Sequence, residues 1–353
     1  MGASIRVFAV LADSRLRQQL QKQWRMNGIS LCGIHAECTA SLVEEIARLR
    51  PQVVVADADL DEVRDFVKAA AGRFRVPVVA VVRGAQAGLT SLRPLEWGAF
   101  SLVARDEHDL DALVQALGAA VHTACHAQVV ELLESVFPLS GAFPNAAVFD
   151  MRRALCDLSA RDKVIVVGAG AGGPMAMRRI LKKMSDHEHS PVIYVQQMTD
   201  GLIPALVRWL EMHTGAIVQR AHNGQALEVG NVYVAGAREE ILVQRTGNQT
   251  VLKVSPPNGN GKPIDALLKS VALLYGEGAV GVLLSGRGDD GCDGMKALRD
   301  AGGLTIAQDR ASSLLYELPG RVRECGGAIE CLPINEIAER ILMLMPTGQT
   351  APV

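Results

Sequence analysis

The sequence has few aromatic side chains, no long apolar run, no block of basic residues and no paired-cysteine motif. Each absence removes a class of protein. The 36 Lys and Arg are nearly matched by 38 Asp and Glu and are spread along the chain. A nucleic-acid binder gathers its cations into a stripe that neutralises phosphates, so no nucleic-acid partner is expected. No apolar run reaches the ~18 residues of a membrane-spanning helix. The start, Met1-Gly-Ala-Ser-Ile-Arg-Val7, lacks the three-part form of a signal peptide. Gly2 is not followed by the hydroxyl of a myristoylation signal, because Ile5-Arg6 stands there. Direct membrane insertion is therefore not expected, and a cytoplasmic location is. The seven cysteines, at 32, 38, 125, 156, 292, 325 and 331, are odd in number and form no C-x-x-C pair. That pattern supports neither a zinc site nor a disulfide framework and fits reduced, buried thiols.

What is present is glycine and aliphatic side chain. Apolar residues make up 49% and charged residues 21%, which is too apolar for a disordered chain. The 34 glycines have no collagen-like three-residue period. At ~150 residues per domain, the length suggests two domains, each able to bury a core. Glycine at tight strand-to-helix turns, with many aliphatics and 4% aromatics, is an α/β composition. Strand-like runs at 5–11, 29–34, 52–56, 77–82 and 99–103 alternate with helix-like segments at 14–26, 39–49, 60–74, 87–97 and 109–121. Five such βα units predict a doubly wound parallel sheet. The helical pattern continues to about 136, and 137–144, with two Pro and a Gly, reads as a linker. After residue 163 come a strand at 164–167, a glycine turn at 168–173, a strand at 191–196, a helix at 202–213 and a strand at 216–221. Short strands near 232–235, 241–244 and 251–254 read as an antiparallel hairpin insert. The α/β pattern resumes with a helix at 264–275, a strand at 279–284, a helix at 294–301, strands at 304–308 and 328–332, and a helix at 334–345. The tail from 346 is expected to fray.

Gly168-Ala-Gly170-Ala-Gly172-Gly173 matches G-x-G-x-x-G between a strand and a helix, the context of a dinucleotide fingerprint. Such a turn lets a pyrophosphate approach backbone N–H groups at a helix start. The fingerprint also needs a carboxylate at the end of the next strand, where this chain has Gln196-Gln197. Nucleotide binding is one reading of the turn.

A second reading rests on resemblance. Val167-Gly-Ala-Gly-Ala-Gly-Gly-Pro174 resembles the Ile-Gly-Ser/Ala-Ser-Thr-Gly-Gly-Pro motif of the chemotaxis protein-glutamate methylesterases, the CheB family. Tyr194-Val-Gln-Gln-Met198 is similar to that family's Val-Val-Gln-His-Met, and Ala279-Val-Gly-Val-Leu-Leu-Ser-Gly-Arg-Gly-Asp-Asp-Gly291 to its Ala-Val-Gly-Val-Ile-Leu-Thr-Gly-Met-Gly-Asn-Asp-Gly. Ala221-His-Asn-Gly224, Val229-Gly-Asn-Val-Tyr-Val-Ala235, Pro263-Ile-Asp265, Ala301-Gly-Gly303, Thr305-Ile-Ala-Gln-Asp309 and Pro319 complete the series in the family's order. Pro51-Gln-Val-Val-Val-Ala-Asp57 looks like the third strand of a receiver domain. The resemblance implies a receiver-like, flavodoxin-like domain over 1–125, a helical extension and linker over 126–162, and a methylesterase-like doubly wound domain with a small hairpin insert over 163–346.

The resemblance also implies a Ser-His-Asp triad, in which an imidazole takes the hydroxyl's proton and a carboxylate orients the imidazole. The serine position falls on Gly170, the histidine on Gln197 and the aspartate on Asp290. Glycine offers no nucleophile, and a glutamine amide does not titrate near neutral pH. Losing one such member typically lowers the rate by ~10⁶. Neighbouring positions differ as well: Ala171 replaces a threonine, Arg287 a methionine and Asp289 an asparagine. A catalytically inactive relative that binds chemoreceptors or a chemotaxis-type histidine kinase is expected. The alternative is a hydrolase that uses Asp290 with Cys292 or Ser285 as substitute nucleophile. His222 has no evident partner, His187 and His189 read as solvated loop residues, and Asp289-Asp290 is a bare acidic pair whose mutual repulsion Arg287 would offset.

In the receiver, the resemblance makes Asp57 the phosphoacceptor and puts Mg²⁺ on Asp13 and Asp57, the one metal it brings into view. The second acidic position is Ala12, the hydroxyl position Val82 and the lysine position Arg105, with Asp59 close by. Arginine keeps the charge of lysine without the geometry of an ammonium.

Overall fold

The computed structural model describes residues 4–105, 109–127, 163–256 and 261–344. These divide into two compact units, one holding the first five strands and the other the remaining nine. The expected linker, from residue 128 on, and the expected frayed tail lie outside the described residues.

The first unit alternates β1 (Ile5–Val10), α1 (Ser14–Gln23), β2 (Ile29–His35), α2 (Ser41–Leu49), β3 (Val53–Asp57), α3 (Val63–Lys68), β4 (Val78–Arg83), α4 (Arg93–Glu96), β5 (Ser101–Arg105) and α5 (Leu110–Ala124). Every strand pair is parallel, in the order β2-β1-β3-β4-β5. β3 and most of β4 are buried, which explains their near-continuous Val and Ala. The predicted helices at 60–74 and 87–97 are shorter and broken. The first ends in a wider turn at Ala69–Arg73. The second is a tight 3₁₀ segment interrupted at Gly88, whose φ of 61° no α-helix accommodates, before α4.

The second unit begins with β6 (Val164–Ala169), α6 (Gly173–Met184), β7 (Val192–Gln196), α7 (Ile203–Thr214), β8 (Ile217–Arg220) and β9 (Asn231–Gly236). The hairpin β10 (Glu240–Thr246) and β11 (Gln249–Ser255) follows, then α8 (Pro263–Tyr275), β12 (Ala279–Leu283), α9 (Cys292–Asp300) and β13 (Leu304–Gln308). α10 (Glu317–Glu324), β14 (Glu330–Leu332) and α11 (Ile334–Leu342) complete it. Its parallel sheet runs β14-β13-β12-β6-β7-β9-β8. Here the sequence reading needs correction, because β9 is a strand of the main sheet, parallel to both β7 and β8, and only β10 and β11 form the hairpin. All six β9 residues are buried, as befits a strand covered on both faces. α10 escaped the sequence reading because it contains Pro319 and Gly320. Pro319 sits in the first turn, where its missing N–H costs nothing.

Aliphatic side chains from both sheets and their helices make the cores, each fully buried one contributing ~1.5–3 kcal/mol. The direction in which the chain adds strands reverses between β1 and β3 in the first sheet and between β6 and β12 in the second. Loops at the carboxyl ends of strands beside such a switch point form the natural crevice of an open α/β sheet.

Candidate functional site

At the β6/β12 switch point, two loops are laced together by backbone hydrogen bonds. Gly170 N–H donates to the Ser285 carbonyl (2.9 Å), and Leu284 N–H donates to the Gly168 carbonyl (2.9 Å). The glycine turn closes when Gly173 N–H donates to the Gly170 carbonyl (2.9 Å). Gly172 has φ 83°, a left-handed conformation that favours glycine. A Cβ on Gly173 would lie 2.4 Å from Gln196 Oε1, so that position has no room for a side chain.

Gln196 is a structural part of this turn that the sequence reading did not identify. Buried at the end of β7, it donates from Nε2 to the Gly170 carbonyl (2.8 Å) and accepts the Tyr194 hydroxyl. Burial pushes that phenol well above its ordinary range. Gln196 thus braces the turn from inside, where a dinucleotide fingerprint would hold out a carboxylate to a ribose.

Positions 170 and 197 are brought together. Gln197 N–H donates to the Ala169 carbonyl (2.8 Å), and its Oε1 lies 3.0 Å from where a Cβ on Gly170 would stand. Gly286 Cα is also 3.0 Å from that point and Arg287 N 3.4 Å, so the place is tight.

Asp290 is hydrogen-bonded to the start of α8. It is 6% exposed, and its two oxygens accept from Ile264 N–H (3.2 Å) and Asp265 N–H (2.9 Å) at the start of α8. Burial pushes its carboxyl up to about 6, against the pull of those two donors. Asp265 returns the arrangement by accepting Gly294 N–H (2.6 Å) in the first turn of α9. The two helix starts are therefore capped by a reciprocal pair of aspartates. The neighbouring Asp289 turns to solvent and pairs with Lys262 (2.8 Å), whose hydrogen bond holds its carboxyl below the usual range. Arg287 forms an ion pair with Glu317 (3.7 Å), so Lys262 is the cation set against Asp289, where the sequence reading had placed Arg287. Among the described residues, no three His, Cys, Asp or Glu side chains group as a metal site requires.

The substitute nucleophiles are poorly placed for that role. Ser285 is buried, donates from Oγ to the Ala171 carbonyl (2.6 Å) and accepts Leu315 N–H (2.9 Å). Burial, with Cys325 beside it, pushes the Cys292 thiol up to about 12, so almost no thiolate exists at neutral pH. His222 and His187 are exposed. His189, expected to be solvated, is instead buried, with Nδ1 2.9 Å from the Ser190 carbonyl and its pKa lowered by burial.

In the first unit, Asp57 lies buried at the end of β3 and accepts from Arg105 Nη2 at 2.5 Å. Asp13 caps α1, accepting Arg15 N–H (2.8 Å) and Leu16 N–H (3.1 Å) on one oxygen. Val82 is buried, and Asp59 pairs with Arg83 (2.8 Å).

Comparison with known proteins agrees with this architecture. The family model described as CheB methylesterase matches residues 165–341. A protein-glutamate methylesterase/protein-glutamine glutaminase of Syntrophus aciditrophicus is 30% identical, the match covering 90% of this chain and 91% of that protein. One of Geobacter metallireducens is 31% identical, with 90% and 92% covered. The crystal structure of the Thermotoga maritima CheB methylesterase catalytic domain superposes with a TM-score of 0.50 at 26% identity, covering 52% of this chain and 98% of that one. With the family model spanning half of the sequence and two relatives matching nine-tenths of it, the chain belongs to the CheB methylesterase family.

Proposed function

We propose that this chain is a chemosensory signalling protein that binds the family's receptor or kinase partners without hydrolysing them. In this reading residues 1–125 are a receiver-like domain, 126–162 an extension and linker, and 163–346 a methylesterase-like scaffold whose triad positions are Gly170, Gln197 and Asp290. The observation that carries it is the pairing of Gly170 with Gln197. The Gln197 amide oxygen sits 3.0 Å from where a side chain at 170 would begin, in a place that offers neither nucleophile nor base. The bonded Ser285 hydroxyl and the protonated Cys292 thiol support the same reading. The names of the relatives put hydrolysis on protein glutamyl esters and glutamines, so the partner surface is a receptor segment bearing such side chains. No helix among the described residues is long and apolar enough to cross a membrane, and membrane-borne receptors would be met from the aqueous side.

The test is a titration of the full chain against a methylated receptor segment, followed by intact mass of that segment. Saturable binding with every methyl group retained is expected. Loss of methyl groups, or no binding to receptor or kinase, contradicts the proposal.

A further inference from the structure

The first unit contains a feature that the loss of hydrolysis does not explain and that stands independently of it. Asp57 ends the central strand β3 and is 1% exposed, a place where a polar group is costly unless it is hydrogen-bonded. Its partner is Arg105, the last residue of β5, which reaches past β4 to place Nη2 2.5 Å from Oδ2. The β4 residue at the hydroxyl position is buried Val82, which offers no competing donor. The other carboxylate oxygen of Asp57 accepts Asp59 N–H (3.3 Å).

The oxygens around this carboxylate are engaged as well. Asp13 uses one oxygen to cap α1. Arg17 Nη1 donates to the Leu11 carbonyl (2.5 Å) and the Ala12 carbonyl (2.8 Å), so a second guanidinium holds the β1–α1 loop. Arg83 holds Asp59 (2.8 Å). Magnesium needs near-octahedral oxygen ligands and dehydrates reluctantly. Here Ala12 supplies no second carboxylate, Arg105 takes one oxygen of Asp57, Asp13 spends one oxygen on the cap of α1, and Arg17 holds the Ala12 carbonyl. The residues present do not fit the metal.

We propose that Arg105 is the resident counter-cation of Asp57, and that this pair of a buried carboxylate and a half-buried guanidinium holds the first unit in one state that neither divalent metal nor a phosphodonor changes. A guanidinium keeps its charge and its planar fork suits a carboxylate, so Arg105 is a standing partner for Asp57. Removing one partner of a buried pair strands the other, whereas removing both relieves the desolvation.

The experiment uses the full chain. Thermal unfolding is followed with and without millimolar Mg²⁺, and intact mass after incubation with acetyl phosphate and Mg²⁺. The expected results are an unchanged transition and no added phosphate, in conditions where a competent receiver is labelled. A Mg²⁺-dependent shift, or a phosphate mapped to Asp57, overturns the proposal. A double-mutant cycle then tests the pair itself, using Asp57→Asn, Arg105→Gln and both together. Each single change is expected to lower the transition by several degrees, and the double change by clearly less than their sum. A double variant that folds where a single one does not supports the pairing equally, and additive effects overturn it.

Discussion

Asp290 shows how its surroundings decide what a carboxylate does. Its two oxygens cap α8, and burial raises its carboxyl from an ordinary 3.8 to about 6. A carboxyl with a folded pKa above its unfolded one binds its proton more tightly in the folded chain. Its contribution to stability is therefore fully present below about pH 4 and is lost as the pH rises through 6. The whole effect is on the order of 3 kcal/mol. Urea unfolding of the wild type and of Asp290→Asn at several pH values reads this as a difference. The stability of the wild type relative to the variant should fall between pH 4 and 6.5, and a relative stability that rises over that interval contradicts the assignment. Asp265 and Lys262 flank the group and act on it in opposite senses, so the comparison with the variant isolates Asp290 from the rest of the titration. In the sequence the resemblance gave Asp289 and Asp290 different positions, but their surroundings were not legible there. Their separation into a buried cap and an exposed partner of Lys262 depends on α8, a distant segment of chain.

At the scale of elements, the glycine turn makes a sharper test than its motif suggests. A Cβ at Gly173 meets Gln196 Oε1 at 2.4 Å and Ala169 Cβ at 2.6 Å, while one at Gly170 meets nothing closer than 3.0 Å. Gly173→Ala should therefore destabilise the chain by roughly 2 kcal/mol or more despite the better helix propensity of alanine, and Gly170→Ala by less than about 1 kcal/mol. Denaturant midpoints check the order, and equal effects would show that Gln196 does not brace the turn. The strand–turn–helix frame was readable from β6, Gly170–Gly173 and Pro174, because hydrophobic runs and glycine placement are local signals. The bracing by Gln196 was not readable, because it comes from the next strand of the sheet. The same limit explains β9. Its period suited a hairpin as well as a sheet, and its parallel pairing with β7 on one edge and β8 on the other decided between them. α10 was lost for the opposite reason: Pro319 and Gly320 read as local signals against a helix, yet Pro319 falls in the first turn, where a proline is tolerated, and Gly320 is buried in packing.

At the scale of the whole molecule, the two units share one theme. Each is a parallel α/β sheet with its loops of interest at the switch point. In each, the acidic residues left there are bound by protein groups. Asp57 is held by Arg105, Asp13 by the start of α1, and Asp290 by the start of α8. The α/β class, the doubly wound sheets and the family were legible because many short motifs in one order specify a scaffold far more tightly than any of them does alone. What those positions do chemically depends on side chains from elements distant in the chain.

The central claim is that this scaffold binds without hydrolysing, and it is most directly tested by methanol release from methylated receptors. The purified full chain, supplied at a concentration equal to that of receptor, should release methanol no faster than receptor alone. Release that rises in proportion to the amount of chain added would contradict the account.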